Sequence, residues 1–134
     1  MIISEYTDCN YNESDIRRLY DSVGWCAYTE DMDALAEGFR NSLLILAAYE
    51  ENELLGLVRA VGDGRTVVFI QDILVLPSRQ RSGIGTALIK ALLSRYPNVR
   101  QIQLTTDNTP ETNAFYKSLG FTELSEFGCC GWMK

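Results

Sequence analysis

The 134-residue sequence predicts a single α/β domain over residues 1–134, with a mixed, mostly antiparallel sheet of about six to seven strands and about four flanking helices. Two observations support this class. Segments with apolar residues at helical spacing are interleaved with continuous or alternating apolar runs, which are typical of strands. A chain of this length can bury one hydrophobic core but is too short for two.

The first forty residues predict one strand followed by two helices. Residues 1–7 have the apolar spacing of a strand, and residues 12–22 have a capping residue followed by apolar positions at helical spacing. Residues 31–40 form the second predicted helix, because the helix dipole favours the acidic residues in its first turn. Trp25 and Tyr28 lie in the loop predicted between these two helices.

The middle of the chain predicts three consecutive strands. Residues 43–49 and 54–60 are apolar runs on either side of a short polar turn, which predicts a hairpin. Residues 66–76 form a longer run that is apolar on both faces except at Gln71 and Asp72, so we expect it at the centre of the sheet. Because they are neighbours in a strand, Gln71 and Asp72 are expected on opposite faces.

The remaining residues predict two helices and three strands. A helix over residues 83–96 and a strand over residues 99–105 follow the central strand. Residues 109–120 predict a short helix with proline at its first position and glycine at its end. Residues 121–124 and 127–133 are predicted to close the sheet as a pair of strands, which brings the strand count to six or seven.

The turn before the third predicted helix has the features of a phosphate-binding site. Gly83 and Gly85 allow the backbone to bend tightly and let a ligand approach its amides. The first N–H groups of a helix have no partner within it, and the helix dipole adds positive charge there. Arg79 and Arg81 contribute two further cations.

Two common phosphate-binding motifs do not fit this turn. A Walker loop requires lysine followed by serine or threonine after the second glycine, whereas this chain has Thr86 and Ala87 there. A dinucleotide-binding fingerprint requires a third glycine where this chain has Leu88. A glycine-containing helix start that binds no ligand is a further alternative.

A third interpretation comes from resemblance to a known family. Residues 80–85, Gln-Arg-Ser-Gly-Ile-Gly, resemble the Q/R-x-x-G-x-G/A acyl-CoA-binding motif of the GCN5-related N-acetyltransferase (GNAT) superfamily. Residues 115–121 are similar to the F-Y-x-x-L-G-F segment that this superfamily has near the end of a helix. Residues 22–25, 41–42 and 55–60 also resemble a bacterial and plant-plastid subgroup that acetylates small amines or lysine.

The resemblance implies the acyl-CoA N-acyltransferase (GNAT) fold, with acetyl-CoA as the acyl donor and no metal. The backbone of Ile73, Leu74 and Val75 would pair with the pantetheine arm as an added strand. Asn108 and Asn113 would also contact the cofactor. The pyrophosphate would bind the turn, whose residues are Gln80, Arg81, Ser82, Gly83, Ile84, Gly85 and Thr86.

Catalytic and acceptor-binding residues are expected at five positions. Tyr116 resembles the tyrosine that donates a proton to the departing thiolate in many members of the superfamily. Asp72 is the predicted base for the amine, because a lone acid in an apolar strand is costly to bury unless it is used or paired. A purely structural salt bridge is the alternative for Asp72. Trp25, Tyr28 and Gln71 are predicted to contact the acceptor.

Two positions depart from relatives that acetylate protein N-termini. Leu104 lies where those relatives have glutamate. Thr109 lies where they have asparagine, and Asn108 is one step displaced. These departures argue against a protein N-terminus as the acceptor and against Asn108 as a pantetheine ligand.

The net charge of −6 lies entirely in the N-terminal third of the chain. Residues 1–40 contain nine acids and three arginines, and the acids and bases balance in the rest. This charge repels nucleic acid and attracts a cation. Because no segment has the length of a membrane span, we expect no membrane partner and a cytoplasmic location.

The cysteines favour a reduced protein without a metal site. Because the chain has no histidine and no CxxC pair, zinc binding is not expected, and the thiols are predicted to be buried and reduced. An exposed sheet edge would allow two chains to pair as a homodimer. The four residues are Cys9, Cys26, Cys129 and Cys130.

The sequence therefore predicts an acetyl-CoA-dependent N-acetyltransferase. Its acceptor is expected to be the primary amine of a small cationic or aromatic molecule, which attacks the thioester directly in a ternary complex. One alternative acceptor is a protein lysine or N-terminus. Another alternative is a non-catalytic module that senses acyl-CoA or mediates an interaction.

Overall fold

The structure is a computed structural model that describes all residues from Met1 to Lys134. The strands are β1 (Ile2–Glu5), β2 (Leu44–Glu50), β3 (Glu53–Gly62), β4 (Val67–Val75) and β5 (Gln101–Leu104). The helices are α1 (Glu13–Ser22), α2 (Cys26–Thr29), α3 (Met32–Arg40), α4 (Ile84–Arg95) and α5 (Pro110–Ser118). Two short 3₁₀ helices cover Pro77–Arg79 and Leu124–Phe127.

The five strands form one sheet in the order β1-β2-β3-β4-β5. The first four strands pair with their neighbours in antiparallel fashion. At the start of β5, the amides of Arg100 and Gln101 bond to the carbonyls of Arg65 and Thr66. The chain thus passes from β4 through α4 to β5, and the predicted α/β architecture with a mixed sheet is confirmed.

The chain divides into two compact units, Met1–Gln103 and Leu104–Lys134. In the first unit, consecutive residues of β3 from 54 to 60 are all buried, so the strand is covered on both faces. Helix α1 contacts β3 and β4, and α4 contacts β2, β3 and β4. The prediction of a single domain over residues 1–134 stays a prediction.

The N-terminal helices begin where the sequence predicts. The Asn12 side chain accepts the backbone N–H of Asp15, and the Asp31 side chain accepts that of Ala34. Both bonds are N-caps, which satisfy donors that lack a partner inside the helix. Helix α1 then buries its apolar stripe, with Ile16, Leu19 and Tyr20 fully inaccessible.

The strand count of six to seven was wrong, because the sheet has five strands. Residues 121–124 and 127–133, expected to be the closing pair, are not strands. The backbone there turns on itself instead: the amides of Glu126 and Gly128 bond to carbonyls three residues earlier. A strand ladder would need these groups to point outwards to a neighbour.

Two further expectations need correction. The segment between α1 and α3 contains α2, a single helical turn, where the sequence predicted only a loop. All four cysteines are exposed rather than buried. They lie in a turn, at the start of α2 and in the C-terminal coil, where no apolar neighbours cover them.

The C-terminal residues expose large apolar side chains. Phe127, Trp132 and Met133 are 67%, 93% and 95% exposed. Exposed apolar side chains often mark contacts between chains, and the homodimer stays a prediction. The structure contains no helix that combines the length and apolar character required to cross a membrane.

Candidate functional site

A buried ion pair lies at the centre of the first unit. Asp72 on β4 is directly opposite Arg59 on β3, so the two side chains share one face of the sheet. The Arg59 Nε atom donates to Asp72 Oδ2 at 2.7 Å. Asp72 is only 2% exposed and Arg59 only 7%. Burying two charges is tolerated when they are paired and hydrogen-bonded, as here.

Two tyrosines complete the hydrogen bonding of the Asp72 carboxylate. The Tyr20 hydroxyl, from α1, donates to Oδ2 at 2.8 Å. The Tyr28 hydroxyl, from α2, donates to Oδ1 at 2.7 Å. With Arg59, three donors from three different elements converge on one carboxylate. We call Arg59, Asp72, Tyr20 and Tyr28 the Asp72 network.

Arg59 is held on its other side by the end of α3. Its Nη1 atom donates to the Ser42 hydroxyl at 3.2 Å, and its guanidinium lies 5.6 Å from the centre of the Phe39 ring. A Cβ added at Gly38 would lie 3.5 Å from the same Nη1 atom. The guanidinium is therefore enclosed by an aromatic face, a hydroxyl and the helix backbone.

The surroundings keep the arginine charged and both phenols protonated. Burial alone would lower the pKa of Arg59, but the charge of Asp72 and its hydrogen bond raise it overall. Burial is also the main cause that raises the pKa of Tyr20 well above its usual value, and the charge of Asp72 adds to it. The pKa of Tyr28 is raised too, chiefly by burial. Both tyrosines thus act as donors to Asp72 at neutral pH.

Gln71 is positioned by an irregularity that the sequence does not reveal. Arg59 pairs with Asp72 and Ala60 with Ile70, so Gln71 is the extra residue of a β-bulge. A bulge bends the strand and re-aims the side chain. For this reason Gln71, expected on the opposite face from Asp72, donates instead from Nε2 to the Tyr28 hydroxyl at 3.2 Å.

The three predicted acceptor-binding residues are brought together by this arrangement. Gln71 is exposed, Tyr28 is half-buried and Trp25 is 36% exposed. The Trp25 and Tyr28 rings lie 6.2 Å apart, and each also packs against Tyr20. Trp25, Tyr28 and Gln71 therefore form an aromatic and polar surface directly outside the buried carboxylate, which we call the aromatic surface.

The predicted phosphate turn has the backbone that an anion site needs. Gly83 caps α4 with φ +87°, and Arg81 also has a left-handed φ of +63°. Because the first intrahelical bond runs from the Ala87 amide to the Gly83 carbonyl, the amides of the preceding residues 84–86 have no helical partner. Gln80 Nε2 donates to the Val75 carbonyl at 3.2 Å and ties the turn to the end of β4.

Only one of the two predicted cations is free at this turn. Arg79 forms an ion pair with Glu50, with Nη1 and Oε2 2.6 Å apart. Arg81 is exposed and has no ion pair in the structure. The free amides and Arg81 are thus the groups that could hold a phosphate here.

Part of one edge of β4 is unpaired near this turn. β5 begins beside Arg65 and Thr66 and is only four residues long, so it ends before it reaches the level of residues 73–75. On the other side, Ile73, Leu74 and Val75 pair with β3. Apart from the Val75 carbonyl, which accepts from Gln80, this edge is free and could accept an extended ligand as an added strand.

The second unit contains Tyr116 and the two predicted asparagines. Tyr116 lies near the end of α5, half-buried between Phe115 and Phe121, whose ring centres are 5.0 and 5.8 Å away. Burial raises the pKa of the Tyr116 phenol, opposed by the nearby hydroxyl of Thr106. Asn113 Nδ2 donates to Asn108 Oδ1 at 3.0 Å, and both side chains are exposed.

A separate cavity of about 230 Å³ contains none of the predicted site residues. It is lined by the end of β1, the start of β2 and the end of α3, and it meets the Asp72 network only through Phe39 and Ser42. Tyr11 lines it with a buried hydroxyl that has no hydrogen-bond partner. Its titratable side chains form no ion pair with one another, in contrast to the Asp72 network, so we do not place the chemistry there; they are Glu5, Tyr6, Asp8, Tyr11 and Arg40.

Comparison with known proteins identifies the family and the fold. The sequence model of the acetyltransferase (GNAT) family matches residues 2–121. Among solved structures, a GNAT-family acetyltransferase from Streptococcus pneumoniae TIGR4 has 37% sequence identity and a TM-score of 0.86. The match covers 99% of this chain and 97% of that one.

Two relatives by sequence are longer than this chain. "Uncharacterized N-acetyltransferase ycf52" of Gracilaria tenuistipitata var. liui is 31% identical over 90% of this chain. "Histone acetyltransferase TAP1" of Glycine max is 30% identical over 80% of this chain. This chain spans 66% to 68% of the length of three proteins named ycf52, and 50% of the length of the Glycine max protein.

Removing the cation of the buried pair is expected to destabilise the fold strongly. Arg59→Met would leave the Asp72 charge buried without its counter-ion, at a cost of about 3–5 kcal/mol in the free energy of unfolding. Arg95→Met is the matched control, because the Arg95–Glu5 pair is about half exposed and should cost no more than about 1 kcal/mol. Denaturant titration measures both, and equal losses would contradict the role assigned to the buried pair.

Stability is expected to decline above pH 10. Below an unfolded-state pKa of about 10, the tyrosines are protonated in both states and contribute no pH dependence. Above it, the unfolded chain loses protons that folded Tyr20 and Tyr28 retain, so the free energy of unfolding falls as pH rises towards the folded pKa values. Measuring the free energy of unfolding by denaturant titration from about pH 9 to 11 tests this prediction. Tyr20→Phe should show a shallower decline, and an identical decline would refute the assignment.

Proposed function

Since this chain belongs to the acetyltransferase (GNAT) family, we propose that it transfers an acetyl group from acetyl-CoA to the primary amine of a small cationic or aromatic acceptor, by direct attack in a ternary complex. The aromatic surface outside the Asp72 network is the observation that carries this proposal. Trp25 and Tyr28 offer ring faces to a cation or an aromatic group, and Gln71 offers a polar contact.

The charge distribution supports a cationic acceptor. The nine acids of residues 1–40 lie in the segment that also contains Trp25 and Tyr28. Such a field raises the local concentration of an ammonium and repels anions. The absence of nucleic-acid and membrane partners, and the cytoplasmic location, stay predictions.

Acetyl-CoA is proposed to bind through the backbone. Its pyrophosphate would contact the free amides at the start of α4 and the Arg81 side chain, and its pantetheine arm would pair with the free edge at residues 73–75. Asn108 and Asn113 are proposed as further contacts. Because the contacts with the free amides and with the strand edge use main-chain atoms, they depend on the left-handed turn more than on particular side chains.

Three proton transfers accompany the reaction, because an ammonium loses two protons as it becomes an amide and the departing thiolate gains one. An alkylammonium has a pKa of about 10, so only about one molecule in a thousand is ready to attack at pH 7. We propose Asp72 as the group that ultimately receives the amine proton. Tyr116 is proposed to donate its phenolic proton to the thiolate as the carbon–sulfur bond breaks, since its raised pKa keeps it protonated at neutral pH.

A protein lysine is the second candidate for the acceptor. The relative from Glycine max is named a histone acetyltransferase, and lysine also presents a primary amine on an aliphatic chain. A protein N-terminus is disfavoured as the acceptor, because Leu104 and Thr109 replace the glutamate and asparagine of relatives that acetylate protein N-termini. A non-catalytic acyl-CoA-binding module would keep the cofactor site but show no turnover.

Thiol release from acetyl-CoA measures this function directly. The panel of acceptors should include polyamines, arylalkylamines, amino acids and lysine-containing peptides, with acetyl-CoA binding measured in parallel. We expect release with a polyamine or an arylalkylamine and little with peptides. Release with peptides alone would favour the protein-lysine alternative, and binding without release would favour the non-catalytic module.

Loss of the Tyr116 hydroxyl should slow turnover without weakening cofactor binding. Tyr116→Phe keeps the ring between Phe115 and Phe121 but removes the proposed proton donor. The expected loss in kcat is about 10²–10⁴-fold, with an unchanged Kd for acetyl-CoA. Tyr49→Phe, on β2, is the control and should keep full activity. Unchanged kcat in Tyr116→Phe would rule out the proposed donor.

A further inference from the structure

Asp72 cannot touch an acceptor directly. Its side chain is only 1% exposed, because Tyr20, Tyr28 and Arg59 surround the carboxylate. A proton that leaves an amine at the surface must therefore reach Asp72 through a side chain that contacts both the carboxylate and the surface. The Asp72 network contains three side chains that contact the carboxylate.

Only one of these three side chains reaches the surface. Arg59 is buried and its guanidinium carries a proton that it does not give up. Tyr20 is fully inaccessible. Tyr28 is half-buried, and its hydroxyl oxygen lies between the buried carboxylate and the exposed amide of Gln71.

The two bonds of the Tyr28 hydroxyl have a direction. Its hydrogen points to Asp72 Oδ1, at 2.7 Å, while its oxygen accepts the Gln71 N–H at 3.2 Å. A nitrogen donor thus already occupies the outward lone pair of the phenol. Because the Gln71 side chain is exposed and its bond is the longer one, an amine N–H can replace it from the surface.

The two carboxylate oxygens of Asp72 have different partners. Oδ2 accepts from both Arg59 and Tyr20, whereas Oδ1 accepts only from Tyr28. The oxygen that faces Tyr28 is therefore the one with the capacity to receive a proton. A proton on Oδ1 leaves both bonds to Oδ2 in place, so the rest of the network does not need to rearrange.

On the premise of the proposed function, we propose that Tyr28 is a catalytic residue that relays the proton of the acceptor amine to Asp72. The amine N–H proton passes to the Tyr28 oxygen while the Tyr28 hydroxyl proton passes to Asp72 Oδ1. The nitrogen, now that of a neutral amine, bonds to the acetyl carbon as the carbon–sulfur bond breaks, and the thiolate takes the proton of Tyr116. The nitrogen of the new amide then loses its remaining excess proton to solvent, and solvent returns a proton to Tyr116. Tyr28 ends neutral, and Asp72 releases the first amine proton to solvent before the next turnover.

The charged groups around the relay are few. Arg59 from β3 is the cation against Asp72, and Tyr20 from α1 is the second phenol. The end of α3 contributes only uncharged groups, the Gly38 carbonyl and the Ser42 hydroxyl, and both face Arg59. A change in rate with pH at this site is therefore attributable to the amine and the Asp72 network.

The pH dependence of kcat/KM for the acceptor amine tests the relay. Tyr28→Phe retains the ring that packs on Tyr20 and Trp25, so it should fold. At pH 7 we expect a loss of about 10²-fold, because the variant must wait for amine that is already neutral. Near pH 10 about half of the amine is neutral, so the loss should shrink to a few-fold. The KM for acetyl-CoA should not change.

A control separates the relay from a general effect of removing a phenol hydroxyl. Tyr11→Phe, which removes a hydroxyl without a partner, should match the unmodified protein at every pH.

Three outcomes decide the proposal. An equal loss at all pH values in Tyr28→Phe would identify Tyr28 as a binding residue and overturn the relay. An unchanged kcat/KM in Tyr28→Phe would also overturn the relay. In either case normal turnover of the unmodified protein would leave the proposed function intact. Acetyl-CoA binding without thiol release by the unmodified protein would instead overturn the proposed function, and the relay with it.

Discussion

The buried ion pair between Arg59 and Asp72 is the interaction on which the rest of the first unit depends. A charge in an apolar interior is unfavourable unless other groups compensate it, so the carboxylate constrains every donor around it. Through those donors it links β3, β4, α1 and α2, and through Arg59 it also holds the end of α3. The aromatic surface is ordered because its inner residue, Tyr28, belongs to this network.

The cofactor end and the acceptor end of the molecule are built on different principles. The turn before α4 offers backbone amides, a left-handed glycine at position 83 and an unpaired strand edge. These features require glycine at fixed spacing, so they leave a readable pattern in the sequence. The acceptor end depends on side chains that come from distant segments, with Tyr28 and Asp72 separated by 44 residues. Such contacts leave no local pattern.

This difference explains what could be predicted from the sequence. Periodicity, capping residues and turn residues located α1, α3, α4 and α5 and all five strands, and the two motifs identified the family. The lone acid in the central strand predicted a role for Asp72, and Tyr28 was predicted as an acceptor contact. The bonds that Tyr20, Tyr28 and Arg59 make to Asp72 were not predicted. The bulge at Gln71 could not have been found, because it depends on how β3 and β4 pair. The prediction of two closing strands was wrong, because the backbone N–H and C=O groups of that segment bond within local turns instead.

A structure of the protein bound to a bisubstrate analogue, in which CoA is covalently joined to the acceptor amine, tests the central claim most directly. That claim is that the buried carboxylate serves an acceptor through the hydroxyl of Tyr28. The account predicts that the acceptor nitrogen lies within hydrogen-bond distance of the Tyr28 oxygen, in place of the Gln71 amide, with Asp72 still buried. An acceptor nitrogen bound away from Tyr28, with the Tyr28–Gln71 bond intact, would contradict it.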